Sequence, residues 1–269
     1  MKKNDLDFFK NWFSEYVDQF SDSDDFTQDN INRKIEHTER VCENILLLAK
    51  SEKIGEDGYR LAETIALFHD LGRFEQFIRY KTFVDSESED HALLGVKILE
   101  RKGVLSRLPQ REQFLILKAV EYHSCLEIPE YSKSSEELLF YLKLIRDADK
   151  LDILRAMSES INEGEIGRNP AFELYLPDTA GCSETIIQDI LNKKMAKIKD
   201  VKNINDLKLL RLSWLFDLNF PTSFAIFKEH EYLNTVISSL AESEGVNIIR
   251  NQLEGYLDEI CSPGTFTDR

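Results

Sequence analysis

Apolar residues recur every three or four positions through most of the chain, which is the spacing that gives an α-helix one apolar face. No segment shows the strict alternation of apolar and polar residues that marks a half-buried β-strand. The pattern therefore predicts an all-α fold. The predicted helices, with ends placed to within about 2–4 residues, cover 5–20, 30–51, 59–71, 90–102, 109–124, 135–160, 183–199, 204–218, 223–241 and 245–260.

Most connections between these helices are short, but two irregular stretches are longer. They are KTFVDSESED at 81–90 and NEGEIGRNPAFELYLPDTAG at 162–181. Loops of this length in a compact domain are either plain surface loops or lids and binding loops. No segment rich in proline, glycine and serine divides the chain, so we expect a single helical domain over 1–269.

The composition narrows the class of protein. A formal net charge of −15 over 269 residues, with no cluster of basic residues, predicts that nucleic acid is not a partner. The chain shows no apolar segment of signal-peptide length and no run of about 18 apolar residues, so we expect a cytoplasmic protein without membrane association. The 4 cysteines are widely spaced, which predicts free thiols rather than a disulfide framework.

Four of the five histidines lie on the apolar face of a predicted helix, namely His37, His69, His91 and His123. A lone histidine in such a place is most often a hydrogen-bonded core residue. Four of them on separate helices also fit a ligand cluster, because a neutral imidazole is a common metal ligand. His230 is flanked by charged residues and is expected to face solvent.

Aspartates continue two of these apolar faces. Asp70 directly follows His69, and the apolar stripe of the helix predicted over 135–160 runs into Asp149. An unpaired buried carboxylate costs several kcal/mol, so something cationic or a donor network must meet it. Three explanations stay open at this point: a structural salt bridge, a buried hydrogen-bond network, or a metal ion such as Mn, Fe, Co, Ni or Zn.

The order of these residues resembles the HD superfamily of metal-dependent phosphohydrolases. Its motifs are matched by ALFHDLGRFEQF, DHALLGVKILE, LKAVEYHS and LIRDADKLDIL, and a bacterial subgroup of the family shares HDLGRF, RDADKLDI and WLFDLNFPTSF. The resemblance extends over nearly the whole chain. It implies an HD-type helical core at about residues 30–160, followed by a C-terminal helical extension at about 183–260.

The resemblance also implies a ligand set. By analogy with the family, one divalent cation (Mn, Fe, Co, Ni, Zn or Mg) would be bound by His37, His69, Asp70 and Asp149. In dinuclear members the positions of His91 and His123 hold a second ion, and in mononuclear members they line the phosphate pocket. We expect the mononuclear arrangement, because no further histidine follows His123 directly.

The activity implied by the family is hydrolysis of a small phosphomonoester or nucleotide by a water molecule that the metal activates. Residues expected to serve catalysis are Asp70, His91 and His123, with one of the two histidines as general acid. The alternative is a metal-containing ligand-binding or sensor module that has the same fold but little or no turnover.

Substrate binding is expected to involve His91 and His123 together with two basic residues. Arg73 lies one turn after His69, and its guanidinium can bind two phosphate oxygens. The alternative for Arg73 is an ion pair with Glu75 or Asp70. Lys150, directly after Asp149, is the second basic candidate. The expected partner is therefore a small phosphorylated molecule.

Overall fold

The structure, a computed structural model, describes residues 1–262. Within this range the chain forms α-helices joined by turns and short 3-10 segments, without a β-strand, which confirms the all-α prediction. None of these helices combines the length and the apolar character that crossing a membrane requires. The helices are α1 Lys3–Val17, α2 Asp25–Ser51, α3 Glu56–Phe68, α4 Leu71–Tyr80, α5 His91–Lys102, α6 Gln110–Tyr122, α7 Glu136–Asn162, α8 Glu184–Leu191, α9 Ile204–Ser213, α10 Pro221–Glu229, α11 Tyr232–Ser238 and α12 Glu244–Ile260.

The chain divides into two compact units. The first unit covers Met1–Asp149 and the second begins at Lys150, so that α7 contributes to both. The first unit contains α1 to α6 and the first half of α7. The second unit contains the rest of α7 and the helices from α8 onward. The single domain expected from the sequence stays a prediction.

Helix α4 is the element that the sequence pattern did not predict. The predicted helix over 59–71 ends at Phe68, and α4 begins two residues after His69. Its buried face is made by Leu71, Phe74 and Phe77. This apolar face is short and is interrupted by a glycine and charged residues, so the helical period is weak in the sequence. Lys81, in the left-handed conformation at φ 54°, ends the helix.

In the second unit, three predicted helices are shorter than expected or are broken. The helix predicted over 183–199 ends at Leu191, and Lys193 follows with φ 54°. The helix predicted over 204–218 is α-helical only to Ser213 and continues as a 3-10 turn. The helix predicted over 223–241 is two helices, because Glu231 at φ 52° breaks it. Left-handed residues of this kind leave little trace in an apolar pattern.

A close contact between α4 and α5 fixes the spacing of two elements that carry candidate site residues. A Cβ atom on Gly72 would lie 2.1 Å from the backbone oxygen of His91 and 2.8 Å from the backbone nitrogen of Gly95. Only glycine fits at this distance. The backbone around Asp70, which precedes α4, is therefore held at a set distance from the start of α5 at His91.

Candidate metal centre

The structure brings six of the predicted site residues together in the first unit. The five residues other than Asp149 are at most 6% exposed, and the Asp149 side chain is 16% exposed. The six residues come from five parts of the helical framework. They are His37 in the middle of α2, His69 and Asp70 between α3 and α4, His91 at the start of α5, His123 after the end of α6, and Asp149 in α7.

The break between α3 and α4 explains how two adjacent residues reach one centre. His69 continues the helical conformation with φ −56° and ψ −42°, whereas Asp70 leaves it with φ −104° and ψ 18°. The turn directs both side chains to the same place. Asp70 also occupies the N-cap position of α4, where the helix dipole favours a negative charge.

One half of the centre, which we call the first half, surrounds Oδ2 of Asp70. This oxygen lies 3.6 Å from Nε2 of His37 and 3.8 Å from Nε2 of His69. Asp149 adds a second carboxylate, with Oδ1 at 3.2 Å from Nε2 of His37 and 3.8 Å from Nε2 of His69. Two imidazoles and two carboxylates therefore face a common point.

The second half surrounds the other oxygen of Asp70. Its Oδ1 lies 3.4 Å from Nε2 of His91 and 3.7 Å from Nε2 of His123. The two imidazole nitrogens are 3.2 Å apart. The carboxylate of Asp70 thus lies between two pairs of histidines, with one oxygen towards each pair.

Backbone carbonyls fix the tautomers of two of these histidines. Nδ1 of His69 lies 2.7 Å from the carbonyl oxygen of Ala66, and Nδ1 of His123 lies 2.7 Å from that of Val120. A carbonyl oxygen only accepts hydrogen bonds, so Nδ1 must carry the proton in each ring. In the neutral rings, Nε2 therefore presents its lone pair to the centre.

Burial and neighbouring charges set the protonation states. Burial lowers the pKa of His69 to about 4 and also lowers the pKa of His91. Burial alone would raise the pKa values of Asp70 and Asp149, but cationic and hydrogen-bonding neighbours, including Lys34 and His37 respectively, hold both below their usual range. At neutral pH the rings of His69 and His91 are therefore neutral and lie beside ionised carboxylates.

This donor set fits a divalent cation. The lone pair of His69 faces carboxylate oxygens of Asp70 and Asp149, each at 3.8 Å, and the lone pair of His123 faces another oxygen of Asp70 at 3.7 Å. Lone pairs and anionic oxygens repel one another unless positive charge lies between them. Mixed nitrogen and oxygen donors are the ligands that Mn, Fe, Co, Ni and Zn accept.

Lys34 belongs to the site, although the sequence analysis did not select it. Its Nζ lies 2.7 Å from Oδ2 of Asp70, and the ammonium is 5.2 Å from the centre of the Phe83 ring. The available signal was its position three residues before His37, which places both on one side of α2.

Arg73 lies at the edge of the centre and is held by the loop before α5. Its Nη1 donates to Oε1 of Gln76 at 2.9 Å, to the backbone oxygen of Phe83 at 2.7 Å and to Oδ1 of Asp85 at 2.8 Å. Its Nε is buried without a hydrogen bond, 3.5 Å from Oδ1 of Asp70. The expected alternative of an ion pair with Asp70 is thus present only as a long contact. The expected role of Arg73 in substrate binding stays a prediction.

Asp85 is the second site residue that sequence reasoning missed. Its Oδ2 lies 2.7 Å from Nδ1 of His91. Burial would raise the pKa of Asp85, but the hydrogen bond from His91 and the charge of Arg73 hold it well below its usual range. The only sequence signal was its place in the irregular stretch 81–90.

Lys150 is the one predicted substrate-binding residue that lies in the second unit. It is 7% exposed, and its Nζ is 2.8 Å from Oδ2 of Asp217. Because its charge is already paired, the structure adds no support for a contact with substrate, and the role of Lys150 stays a prediction.

Comparison with known protein families finds one match, in the part of the chain that contains the centre. Residues 35–154 match the family model named HD domain, and this segment contains all six residues of the centre. This match supports an HD domain at residues 35–154. HD domains bind divalent metals and are generally metal-dependent phosphohydrolases, and the histidine and aspartate cluster described above has the composition for such a site. No curated protein and no solved structure matched the chain.

Proposed function

We propose that the protein hydrolyses a small phosphomonoester or nucleotide and that its reaction depends on a divalent metal. The observation that carries the proposal is the position of Asp70, whose two carboxylate oxygens each face a pair of imidazole nitrogens. A buried carboxylate in this setting is suited to bind cations.

His37, His69, Asp70 and Asp149 are the proposed ligands of the first ion. Their two nitrogens and their carboxylate oxygens favour Mn, Fe, Co, Ni or Zn, and Mg is the least suited of the expected metals because it prefers oxygen ligands. When bound, the ion would lower the pKa of a water molecule towards neutrality and polarise a phosphoryl oxygen.

His91 and His123, with Oδ1 of Asp70, are the proposed ligands of a second ion. This proposal differs from the mononuclear arrangement expected from the sequence, and what supports it is the pair of Nε2 atoms 3.2 Å apart beside a carboxylate oxygen. A role as general acid is less well supported for His91. Burial lowers its pKa and so disfavours the protonated form that an acid needs.

Two cationic side chains border the same carboxylate and would help to neutralise a phosphate. Lys34 contacts Oδ2 of Asp70, and the unbonded Nε of Arg73 lies near Oδ1. Two such groups suit one or two phosphates. The net charge of −15 would repel a long polyanion, so a compact substrate is proposed rather than an oligonucleotide.

The test compares metal content and turnover in matched histidine variants. Wild type should contain transition metal after purification without chelator and should hydrolyse an aryl phosphate or members of a nucleotide panel with Mn²⁺, Co²⁺ or Ni²⁺ added. His69→Gln should lose both properties, with turnover falling at least about 100-fold. His230→Gln, a histidine outside the centre, should keep both.

Two results would contradict the proposal. Purified wild type that binds none of these metals would exclude a metal centre. Tight metal binding without turnover of any phosphate in the panel would instead favour the sensor or ligand-binding module.

A further inference from the structure

The loop before α5 contains a carboxylate whose hydrogen bonds determine the state of a histidine in the centre. We propose that Asp85 is a positioning residue that fixes His91 in the tautomer whose Nε2 lone pair faces Asp70 and His123. The proposal deepens the proposed function and rests on it, because it concerns the second half of the same centre.

The oxygen of Asp85 that faces away from His91, Oδ1, contacts two nitrogen donors. Oδ1 is 2.8 Å from Nη1 of Arg73 and 2.8 Å from Nε2 of Gln76. A guanidinium group only donates hydrogen bonds. The Gln76 amide is oriented independently, because its Nε2 is 2.7 Å from the carbonyl oxygen of Glu89, which only accepts. Oδ1 of Asp85 therefore accepts two hydrogen bonds.

The other oxygen of Asp85, Oδ2, faces the ring of His91. With its carboxylate ionised, Asp85 has no proton to donate, and its Oδ2 lies 2.7 Å from Nδ1 of His91. At this distance Nδ1 must be the donor. A neutral His91 ring that is protonated at Nδ1 carries its lone pair on Nε2.

On the inner side of the His91 ring, Nε2 faces the ring of His123. Nε2 of His91 is 3.2 Å from Nε2 of His123, which also carries a lone pair because Nδ1 of that ring donates to Val120. Two lone pairs and an Asp70 oxygen therefore face one point. In the opposite tautomer, an Nε2–H group of His91 would donate to His123 or Asp70. The second half would then close as a hydrogen-bond network instead of offering ligands to a cation.

An asparagine in place of Asp85 tests whether this carboxylate fixes the His91 tautomer, with almost no change in the shape of the side chain. Arg73 and Gln76 both donate to the oxygen at their side, so the amide oxygen of Asp85→Asn is expected to occupy that place. The amide NH₂ group then faces Nδ1 of His91, which must accept. The substitution should therefore invert the His91 tautomer.

The experiment measures the tautomer directly. The full chain is labelled with ¹⁵N-histidine, freed of metal with chelator, and studied by long-range ¹H–¹⁵N NMR, with the His91 signals assigned by their loss in His91→Gln. Wild type should show a protonated Nδ1 on His91, and Asp85→Asn should show a protonated Nε2. Asp90→Asn is the matched control, because it removes a charge from the same loop while asparagine still caps α5 at Leu93.

The consequence for metal binding gives a second measurement. Titration with Mn²⁺ should show two binding events, one for each half of the centre. Asp85→Asn should weaken the event of the second half, which contains His91 and is expected to be the weaker one, by about 10–100-fold and leave the other unchanged. Asp90→Asn should match wild type in both events.

Three NMR results would overturn the proposal. A protonated Nε2 on His91 in wild type, which needs no variant to fold, would overturn the proposal, as would an unchanged tautomer in Asp85→Asn. As a second variant, Asp85→Ala should show both tautomers, and the wild-type tautomer alone would also overturn it. The NMR result requires no turnover. An inverted tautomer in a protein without phosphatase activity would therefore refute the proposed function and leave the role of Asp85 standing.

Discussion

The two halves of the centre use the same number of imidazoles but differ in charge and in support. The first half has a second carboxylate, Asp149, in addition to Asp70. The second half has only Oδ1 of Asp70 beside its two imidazoles. An additional negative charge strengthens binding of a cation, so we expect the first half to hold its ion more tightly.

The halves also differ in what orients their histidines. His69 is oriented by a carbonyl of its own helix, one turn earlier, so the orientation follows from the helix itself. His91 depends on Asp85, a side chain of a loop. Each half thus has one histidine that is oriented by its own helix, His69 or His123, but the second half also requires a loop to take one conformation.

The largest effect should come from removing the residue that the halves share. Asp70→Ala should abolish binding of both ions and reduce turnover by at least about 100-fold, because each half loses a carboxylate oxygen. Added Mn²⁺ should no longer raise the melting temperature, since ligand linkage is lost. The measurements are elemental analysis and thermal melting, with the exposed Asp258→Ala as control. Retention of one ion by Asp70→Ala would show that the halves do not depend on a common ligand.

Variants of one half should separate the two ions. Asp149→Ala removes a carboxylate of the first half only and should eliminate the tighter ion. His91→Gln should eliminate the weaker ion and leave the tighter one in place. Metal titration of both variants checks this, and the reverse pattern of losses would invert the order of affinities inferred from charge.

The pH dependence of stability should reveal the first half in metal-free protein. Burial lowers the pKa of His69 from 6.5 to about 4, so the unfolded state binds more protons between these pH values. Stability should therefore fall as the pH falls from about 6.5 to about 4, by about 3 kcal/mol for a shift of this size. The low pKa values of Asp70 and Asp149 act only at lower pH. Urea unfolding of chelated protein measures the slope, and His69→Gln should reduce it, leaving the contribution of His91, whose pKa burial also lowers. An equally steep slope in that variant would assign the effect to other groups.

The spacing between α4 and α5 should affect the second half more than the first. Gly72→Ala places a methyl group against the backbone at His91 and should cost about 1–3 kcal/mol of unfolding free energy. The displaced start of α5 should also weaken the second ion. Gly255→Ala, in α12 with nothing within 4 Å of the added carbon, should instead stabilise the protein by about 0.5–1 kcal/mol. Equal denaturation midpoints for the two variants would mean that α4 and α5 separate without cost.

Most of the fold follows from the sequence because amphipathic helices leave a strong period in it. The pattern failed at α4, whose apolar face is short, and at Glu231, where a left-handed residue divides a continuous apolar period. Such breaks depend on single backbone conformations, which apolar spacing does not encode.

For the site, the six residues that meet were all selected from the sequence. Five of them are well buried polar side chains that continue apolar faces, and this combination is visible without a structure. Asp85 and Lys34 were missed for different reasons. The contact of Asp85 depends on the path of an irregular loop, whereas Lys34 looks like an ordinary surface lysine until its position beside Asp70 is known.

Hydrogen bonds from α7 to the segment at 123–126, which follows α6, affect a different property, the local opening of the molecule. Arg146 in α7 is 1% exposed and donates to the backbone oxygens of His123, Cys125 and Leu126. If this segment detached alone, it would leave a buried guanidinium group and lose several hydrogen bonds at once. The segment after His123 should therefore open together with α7, and its hydrogen exchange should follow that of the helix rather than that of a loop.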